Sequence, residues 1–196
     1  MVRKMLPLVM VLSIGVFAVS AQAGVLNGHA SAYASGSSAF SDGGLVGYVD
    51  YAVFMPGSFP YAGYSPDAGE AVYAYQVFNT GDVPINVAFV VDIAQEANDI
   101  GSFTDFSGVT PSAEDLYPGQ ARWTFSLLEI QPTENSIGLA FSSTKLPMMH
   151  MGGVIDGGEN ALFNVLVPSP DDIPEPMTMA FLAFGGAALL ARRRRK

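Results

Sequence analysis

Carboxylates are the most abundant ionisable side chains in this chain that could act in catalysis or ligand binding. The chain has 18 Asp and Glu, two His and no Cys. Two carboxylates placed together can cleave a glycosidic bond, one as acid and the other as base or nucleophile. Glu129 shares a predicted strand face with Trp123, but a surface position at the strand end is the simpler interpretation. The candidates lie on separate segments, so spacing does not indicate that two of them meet: Glu70, Glu96, Glu114 and Glu129.

The two histidines, His29 and His150, lie far apart, one in an Ala/Ser/Gly-rich stretch and one in a methionine-flanked segment predicted to be a loop. The chain has no G-x-S-x-G elbow and no HExxH helix, and two histidines cannot form a three-histidine zinc site. The lack of cysteine excludes thiol catalysis, Cys-ligated zinc and iron–sulfur clusters. We therefore predict a protein that is not an enzyme and that has no catalytic residues.

Calcium is the small ligand that the acidic loops would attract, because a hard cation binds several oxygens. The loops 92–105 and 156–159 offer such oxygens, but neither follows the EF-hand spacing. We expect diffuse counterion screening and no bound cofactor. If calcium does bind, its first candidate ligands are Asp92, Asp99, Asp156 and Glu159.

Aromatic residues are frequent between positions 48 and 75 and are candidates for a platform on which sugar rings stack. Packing in a core or on a sheet explains most of them without a ligand. The residues are Tyr48, Tyr51, Phe59, Tyr61, Tyr64, Tyr73 and Tyr75.

The N-terminus has the order of a secretory signal peptide. Arg3 and Lys4 precede an apolar stretch over residues 5–19, and Ala21 and Ala23 form an A-x-A cleavage site. Cleavage there makes Gly24 the first residue of the mature protein. An uncleaved membrane anchor is the alternative, but the apolar stretch is short for one.

The C-terminus combines three signals in order. Pro174-Glu175-Pro176 is a stiff, extended tripeptide, and residues 177–191 form an apolar run. Five cations follow it, and such a cluster stays on the cytoplasmic side of a membrane. As a helix the run is about 22 Å long, short of a ~30 Å hydrocarbon core, which favours a transient signal over a permanent anchor. The cations are Arg192, Arg193, Arg194, Arg195 and Lys196.

This tail resembles the PEP-CTERM sorting signal of exported bacterial proteins. The resemblance implies that signal peptidase and a membrane-embedded exosortase act on the chain, with transient membrane insertion, and that the protein reaches the cell surface or extracellular matrix. It also implies an association with exopolysaccharide. A looser resemblance to mature domains of the same family rests on Tyr73, Tyr75, Val77, Asn79, Trp123, Phe125, Ser136, Leu139, Phe141 and Ser143.

The mature segment, residues 24–176, is strongly acidic. It keeps only Arg122 and Lys145 of the nine cations but all eighteen acids, which gives a net charge of −16. Such a surface repels phosphate backbones, so nucleic-acid binding is excluded. The segment is also rich in aromatic and branched apolar residues, and its length suffices for a core without disulfides.

Short runs with a period of two predict strands over 45–55, 70–79, 85–93, 120–130, 136–142 and 161–167. Residues 29–34 alternate more weakly and predict an edge strand or a flexible arm. The turn Thr80-Gly81-Asp82 predicts either a β-hairpin or a corner at which the chain changes sheets. Segments 58–69 and 95–119 are predicted to be loops.

These strands predict an all-β fold, an antiparallel β-sandwich that is Ig-like or jelly-roll-like. The expected order is a signal peptide over 1–23, an arm or edge strand over 24–44, the sandwich over 45–168, a linker over 169–173 and the sorting signal with its apolar helix over 174–196. The predicted role is that of an exported, non-enzymatic surface or matrix protein. A carbohydrate-binding module, or a carboxylate-dependent glycoside hydrolase, is the alternative.

Overall fold

A computed structural model describes residues 26–91, 97–156 and 158–172. These residues form ten strands and no helix: β1 Ala34–Asp42, β2 Leu45–Phe54, β3 Ala71–Asn79, β4 Val87–Val91, β5 Ala97–Phe103, β6 Ala113–Tyr117, β7 Gln120–Thr124, β8 Gly138–Ser143, β9 Lys145–Ile155 and β10 Asn160–Asp172. The predicted all-β class is confirmed for this part of the chain. None of its segments is a helix able to cross a bilayer.

The strands form two five-stranded antiparallel sheets. The first sheet has the order β1-β2-β3-β8-β5, and the second has the order β10-β9-β4-β7-β6. Strands from both sheets contribute to one buried cluster, which includes Tyr75 and Phe141 from the first sheet and Trp123 and Val165 from the second. The two sheets therefore face each other across a shared core.

Three aromatic side chains tie the sheets together by hydrogen bonds to backbone carbonyls. Tyr75 Oη donates to the carbonyl of Leu166 at 2.5 Å, and Tyr73 Oη donates to the carbonyl of Lys145 at 2.9 Å. Trp123 Nε1 donates in the opposite direction, from the second sheet to the carbonyl of Gly101 at 3.0 Å. All three rings are buried, so their polar atoms need these partners. The bonds link the sheets in a chain that has no cysteine.

The outer face of the first sheet carries a second apolar cluster. Its members from the sheet include the small residues Ala52, Ala74 and Ala140. The loop between β2 and β3 packs aromatic rings on this cluster, and Tyr61 stacks on Phe103 with ring centroids 5.0 Å apart. The predicted loop over 58–69 is confirmed, and it is a packed cover over the sheet.

The turn after Asn79 is a corner between sheets, so the hairpin alternative is wrong. β3 lies in the first sheet, whereas β4 lies in the second. Asn79 is 1% exposed and holds the corner: its Nδ2 donates to the carbonyls of Val83 and Ile130, both at 2.8 Å, and its Oδ1 accepts from the Gly81 amide. Where the chain leaves the sheet, the buried side-chain amide of Asn79 thus forms hydrogen bonds with backbone groups that lie outside the strands.

The structure corrects three predictions about strands. The predicted loop over 95–119 contains β5 and β6. Acidic residues in both strands and a glycine in β5 interrupt the alternation of apolar and polar residues from which strands are predicted. The methionine-flanked loop around His150 is the eleven-residue strand β9. The strand predicted over 120–130 ends at Thr124, because the chain turns away and leaves Leu127 84% exposed.

The ends of the described region also differ from the prediction. Residues 29–33 form turns and bends where a strand over 29–34 was predicted. The edge strand of the predicted segment 24–44 is β1, which begins at Ala34 and pairs along its length with β2. β10 continues to Asp172, through residues predicted to be a linker, because it pairs with β9 across a bulge after Pro168.

Candidate functional site

An open cleft lies at one end of the two sheets, between the loop that joins β5 to β6 and the loop that joins β7 to β8. Its volume is about 740 Å³. Most of the residues that line it carry hydroxyl, amide, carboxylate or aliphatic side chains: Ser107, Gly108, Val109, Thr110, Ser126, Leu127, Leu128, Glu129, Gln131, Thr133, Glu134 and Asn135.

Backbone bonds between the two loops fix the base of the cleft. The Val109 amide donates to the carbonyl of Asn135 at 2.8 Å, and the Ile137 amide donates back to the carbonyl of Val109 at 3.0 Å. Gly108 lies so close that a Cβ on it would stand 2.4 Å from the carbonyl carbon of Ser136. A glycine is therefore required where the two loops meet.

Gln131 orients the two carboxylates of the cleft. Its backbone amide donates to Glu134 Oε2 at 3.1 Å, and its side-chain Nε2 donates to Glu129 Oε2 at 3.3 Å. An ionised carboxylate has about four acceptor positions, so each glutamate keeps capacity for a ligand after these bonds. Both carboxylates belong to one short segment that is anchored by Ile130, whose side chain is fully buried.

Two adjacent leucines form the apolar wall of the cleft. Leu127 is 84% exposed and Leu128 is 68% exposed, whereas Phe125 just before them is fully buried. Ser112 Oγ accepts from the Ser126 amide at 3.2 Å and so holds the start of this segment. The cleft thus combines an apolar wall with hydrogen-bonding groups, the combination typical of small-ligand sites.

Of the four carboxylates predicted as candidates, the structure places only Glu129 in the cleft. Glu70 is 5% exposed and accepts hydrogen bonds from Asn98 Nδ2 and Ser142 Oγ, which makes it a structural link between β5 and β8. Glu114 lies on β6, outside the cleft lining, and Glu96 lies outside the described residues.

The histidines stay apart in the fold. His29 Nδ1 lies 3.0 Å from Ser31 Oγ, and the His29 ring packs edge-on against Phe54 and Tyr61. His150 lies on β9, opposite Val165 of β10. Burial, and after it the charge of Asp105, raises the pKa of Tyr61 to about 12, so this ring stays neutral beside His29 at physiological pH.

In the loop over 156–159, predicted as a calcium candidate, two carboxylates already accept hydrogen bonds from backbone amides. Asp156 Oδ1 accepts from the amides of Gly158 and Glu159, both at 3.0 Å. Glu159 Oε2 accepts from the Gly44 amide at 3.1 Å. Asp99 adopts a positive φ of 42° on β5, and Asp92 lies outside the described residues. The described residues contain no cluster of three or more acidic or histidine side chains placed to hold a metal.

The aromatic residues predicted as a platform are divided between several environments. Tyr51, Tyr73 and Tyr75 belong to the shared core, and Tyr64 belongs to the second cluster, with Phe59 and Tyr61 packed against that cluster. Tyr48 stacks on Phe78 with centroids 4.4 Å apart, in a half-buried pair on the outer face of the first sheet. These rings do not form one exposed platform.

The residues predicted for export and sorting lie outside the described residues. They are Ala21, Ala23, Pro174, Glu175, Pro176, Arg192, Arg193, Arg194 and Arg195. The cleft residues Gln131 and Glu134 were missed from the sequence. Their only signal there is the polar, turn-forming run Gln-Pro-Thr-Glu-Asn, which is common in loops without a site.

The chain matches no known protein family, and neither the curated proteins nor the solved structures gave a match.

Proposed function

We propose that this chain is an exported, non-enzymatic β-sandwich that an exosortase sorts to the cell surface or the extracellular matrix, in association with exopolysaccharide. The observation that carries the proposal is the C-terminal order of Pro174-Glu175-Pro176, an apolar run and five cations. The basic and apolar N-terminus with its A-x-A site supports export as well.

The fold supports the sandwich part of this proposal. Two antiparallel sheets share one core, which is the arrangement of Ig-like and jelly-roll-like domains. In the proposed organisation this domain stands between a signal peptide over 1–23 and a sorting signal over 174–196 that carries the hydrophobic helix. Signal peptidase and exosortase are the proposed partners, and the apolar helix inserts transiently in the membrane.

The cleft favours carbohydrate binding as the way in which the domain contacts polysaccharide. Hydroxyl, amide and carboxylate groups there can accept and donate hydrogen bonds to sugar hydroxyls, and Leu127 and Leu128 offer an apolar surface to a sugar ring. This makes a carbohydrate-binding module the second candidate function. The hydrolase alternative has less support, because neither Glu129 nor Glu134 is buried, whereas the acid of such a pair usually lies in an apolar pocket.

Replacing Pro174-Glu175-Pro176 by three alanines tests the sorting signal. We expect export to continue and processing to stop, because the apolar run still holds the chain in the membrane while the recognised tripeptide is lost. Membrane fractionation of producing cells measures the trapped form. Asp171→Ala with Asp172→Ala, just before the tripeptide, is the control and should process normally. Unchanged release of the triple-alanine variant would refute the proposed sorting.

N-terminal sequencing of the exported protein tests the signal peptide separately. We expect the mature chain to begin at Gly24, after the Ala21-Gln22-Ala23 site. An intact Met1 start on exported protein would contradict the proposed cleavage.

A further inference from the structure

We infer that the cleft binds a polysaccharide whose sugars carry free, protonated amino groups. This inference rests on the proposed function, since it names the class of polysaccharide that the exported domain contacts. It is carried by the charge of the cleft, by the orientation of its two glutamates and by the leucine wall beside them.

The charge of the cleft is the first property that restricts the class of ligand. The cleft lining contains Glu129 and Glu134 and no Lys, Arg or His. The mature segment around it carries sixteen more acids than cations, with only Arg122 and Lys145 on the positive side. A polysaccharide bearing carboxylates or sulfates is therefore repelled both by the cleft and by the surrounding surface. A polymer with ammonium groups is attracted by both.

The geometry fits the amine of a sugar. Gln131 bonds to both glutamates and so orients them, and both keep acceptor capacity for an ammonium group. Charge-assisted bonds of this kind are stronger than neutral ones. The hydroxyls of Ser107, Thr110 and Thr133 line the cleft and can donate to and accept from the remaining hydroxyls of a sugar. Asn135 offers its Oδ1 as an acceptor, since its Nδ2 already donates to the carbonyls of Ser107 and Ser136.

The leucine wall distinguishes a sugar from a simple cation. Leu127 and Leu128 are mostly exposed beside the carboxylates, where a hydrated metal ion would gain little from them. A pyranose ring has an apolar C–H face that can cover such a surface and remove it from water. The volume of about 740 Å³ lies within the range of about 300–1,000 Å³ typical of small-ligand sites, so it accommodates a short segment of a polymer.

Calorimetric titration of the full chain in detergent micelles, with defined oligosaccharides, tests this inference. The probes are a chitosan oligomer, its fully N-acetylated counterpart and an alginate oligomer, at about pH 5.5, where most amino groups of chitosan are protonated. We expect the chitosan oligomer to bind about tenfold more tightly than the acetylated one, and the alginate oligomer not to bind. Added salt should weaken chitosan binding through screening.

Variants locate the binding in the cleft. Glu129→Gln and Glu134→Gln should each weaken chitosan binding about fivefold, as expected for the loss of one charge pair. Asp67→Asn with Asp82→Asn removes two exposed acids outside the cleft and should change the affinity less than twofold. Leu127→Ser should weaken both amino and acetylated oligomers about threefold, because it removes apolar contact from each. Since Leu127 is exposed, this change leaves the core intact.

Four results would overturn the inference. Equal binding of the two chitin-derived oligomers would reject the amine, and unchanged affinity in both glutamine variants would reject the cleft. A lysine oligomer that binds as tightly as chitosan would assign the cleft to cationic peptides. Absence of binding to every oligosaccharide would reject a glycan ligand. In each case the membrane fractionation of the triple-alanine variant still decides independently whether the chain is sorted as proposed.

Discussion

Removal of one hydroxyl by Tyr75→Phe tests how the two sheets are held together. Tyr75 is 3% exposed, and its Oη donates to the carbonyl of Leu166 on the opposite sheet at 2.5 Å. Phenylalanine keeps the ring and its contacts, so the change leaves a buried carbonyl without this donor. Such a loss costs about 1–3 kcal/mol. For a chain of this size, about 2 kcal/mol lowers Tm by roughly 4–8 °C.

Urea unfolding followed by Trp123 fluorescence measures this change, because the single tryptophan lies in the shared core and reports its opening. Tyr33→Phe is the matched control: Tyr33 is 61% exposed, and its variant should stay within about 0.5 kcal/mol of the parent. If Tyr75→Phe loses no more stability than Tyr33→Phe, the cross-sheet bond does not stabilise the fold and the reasoning fails.

The pH dependence of stability, compared between the parent protein and Tyr75→Phe, gives a second test. Burial holds the pKa of Tyr75 well above its usual value of 10.0. The phenol therefore stays neutral in the folded state, while the unfolded chain ionises above about pH 10. The stabilisation by Tyr75 is complete below that pH and is lost as the pH rises towards the folded pKa. The stability difference between the parent and Tyr75→Phe should accordingly shrink above about pH 10. A difference that stays constant there would contradict the assigned burial.

Gly138→Ala should cost about 1–3 kcal/mol in urea unfolding, because the new Cβ would stand 2.2 Å from the enclosed ring of Phe103. Gly158→Ala, whose nearest neighbour lies at 3.9 Å, should cost far less, and equal effects would contradict this reading. Tyr61→Phe should reduce the loss of stability between about pH 10 and pH 12. The raised pKa of Tyr61 causes that loss in the parent, because the tyrosine ionises in the unfolded chain at a lower pH than in the folded protein. An unchanged alkaline unfolding profile would refute this. Calcium and magnesium at matched ionic strength should raise Tm alike, because Glu159 already bonds to the backbone, and a calcium-specific rise of several degrees would reveal a site.

The sequence predicted those strands in which apolar and aromatic residues run with few interruptions. β2 and β3 were predicted to within one residue, since each face of these strands meets either the shared core or the second cluster. β5 was missed because its sequence, Ala-Asn-Asp-Ile-Gly-Ser-Phe, contains a bulge and a residue with positive φ, which break the period. Tertiary pairing with β8 stabilises a strand that its own sequence disfavours.

The cleft was only partly predictable. Glu129 was a candidate because it is a carboxylate near an aromatic strand, but its predicted place on that strand was wrong. Its neighbours in the cleft come from two loops, and the backbone bonds of Val109 to Asn135 and Ile137 bring these loops together. No spacing within either loop indicates this contact, so Gln131 and Glu134 were not singled out.

The sequence by itself determined the all-β class, the excess of acids and the absence of thiol chemistry, because period, charge and composition are properties of the local chain. It also carries the proposed export and sorting signals, which are linear motifs. Only the tertiary structure decided that the chain passes from one sheet to the other after Asn79 and that the Glu159 carboxylate accepts a hydrogen bond from a backbone amide. It also decided that Leu127 and Leu128 are exposed beside Glu129. These features depend on which distant segments meet. Contacts of that kind are set by the packing of whole sheets, and no single segment encodes them.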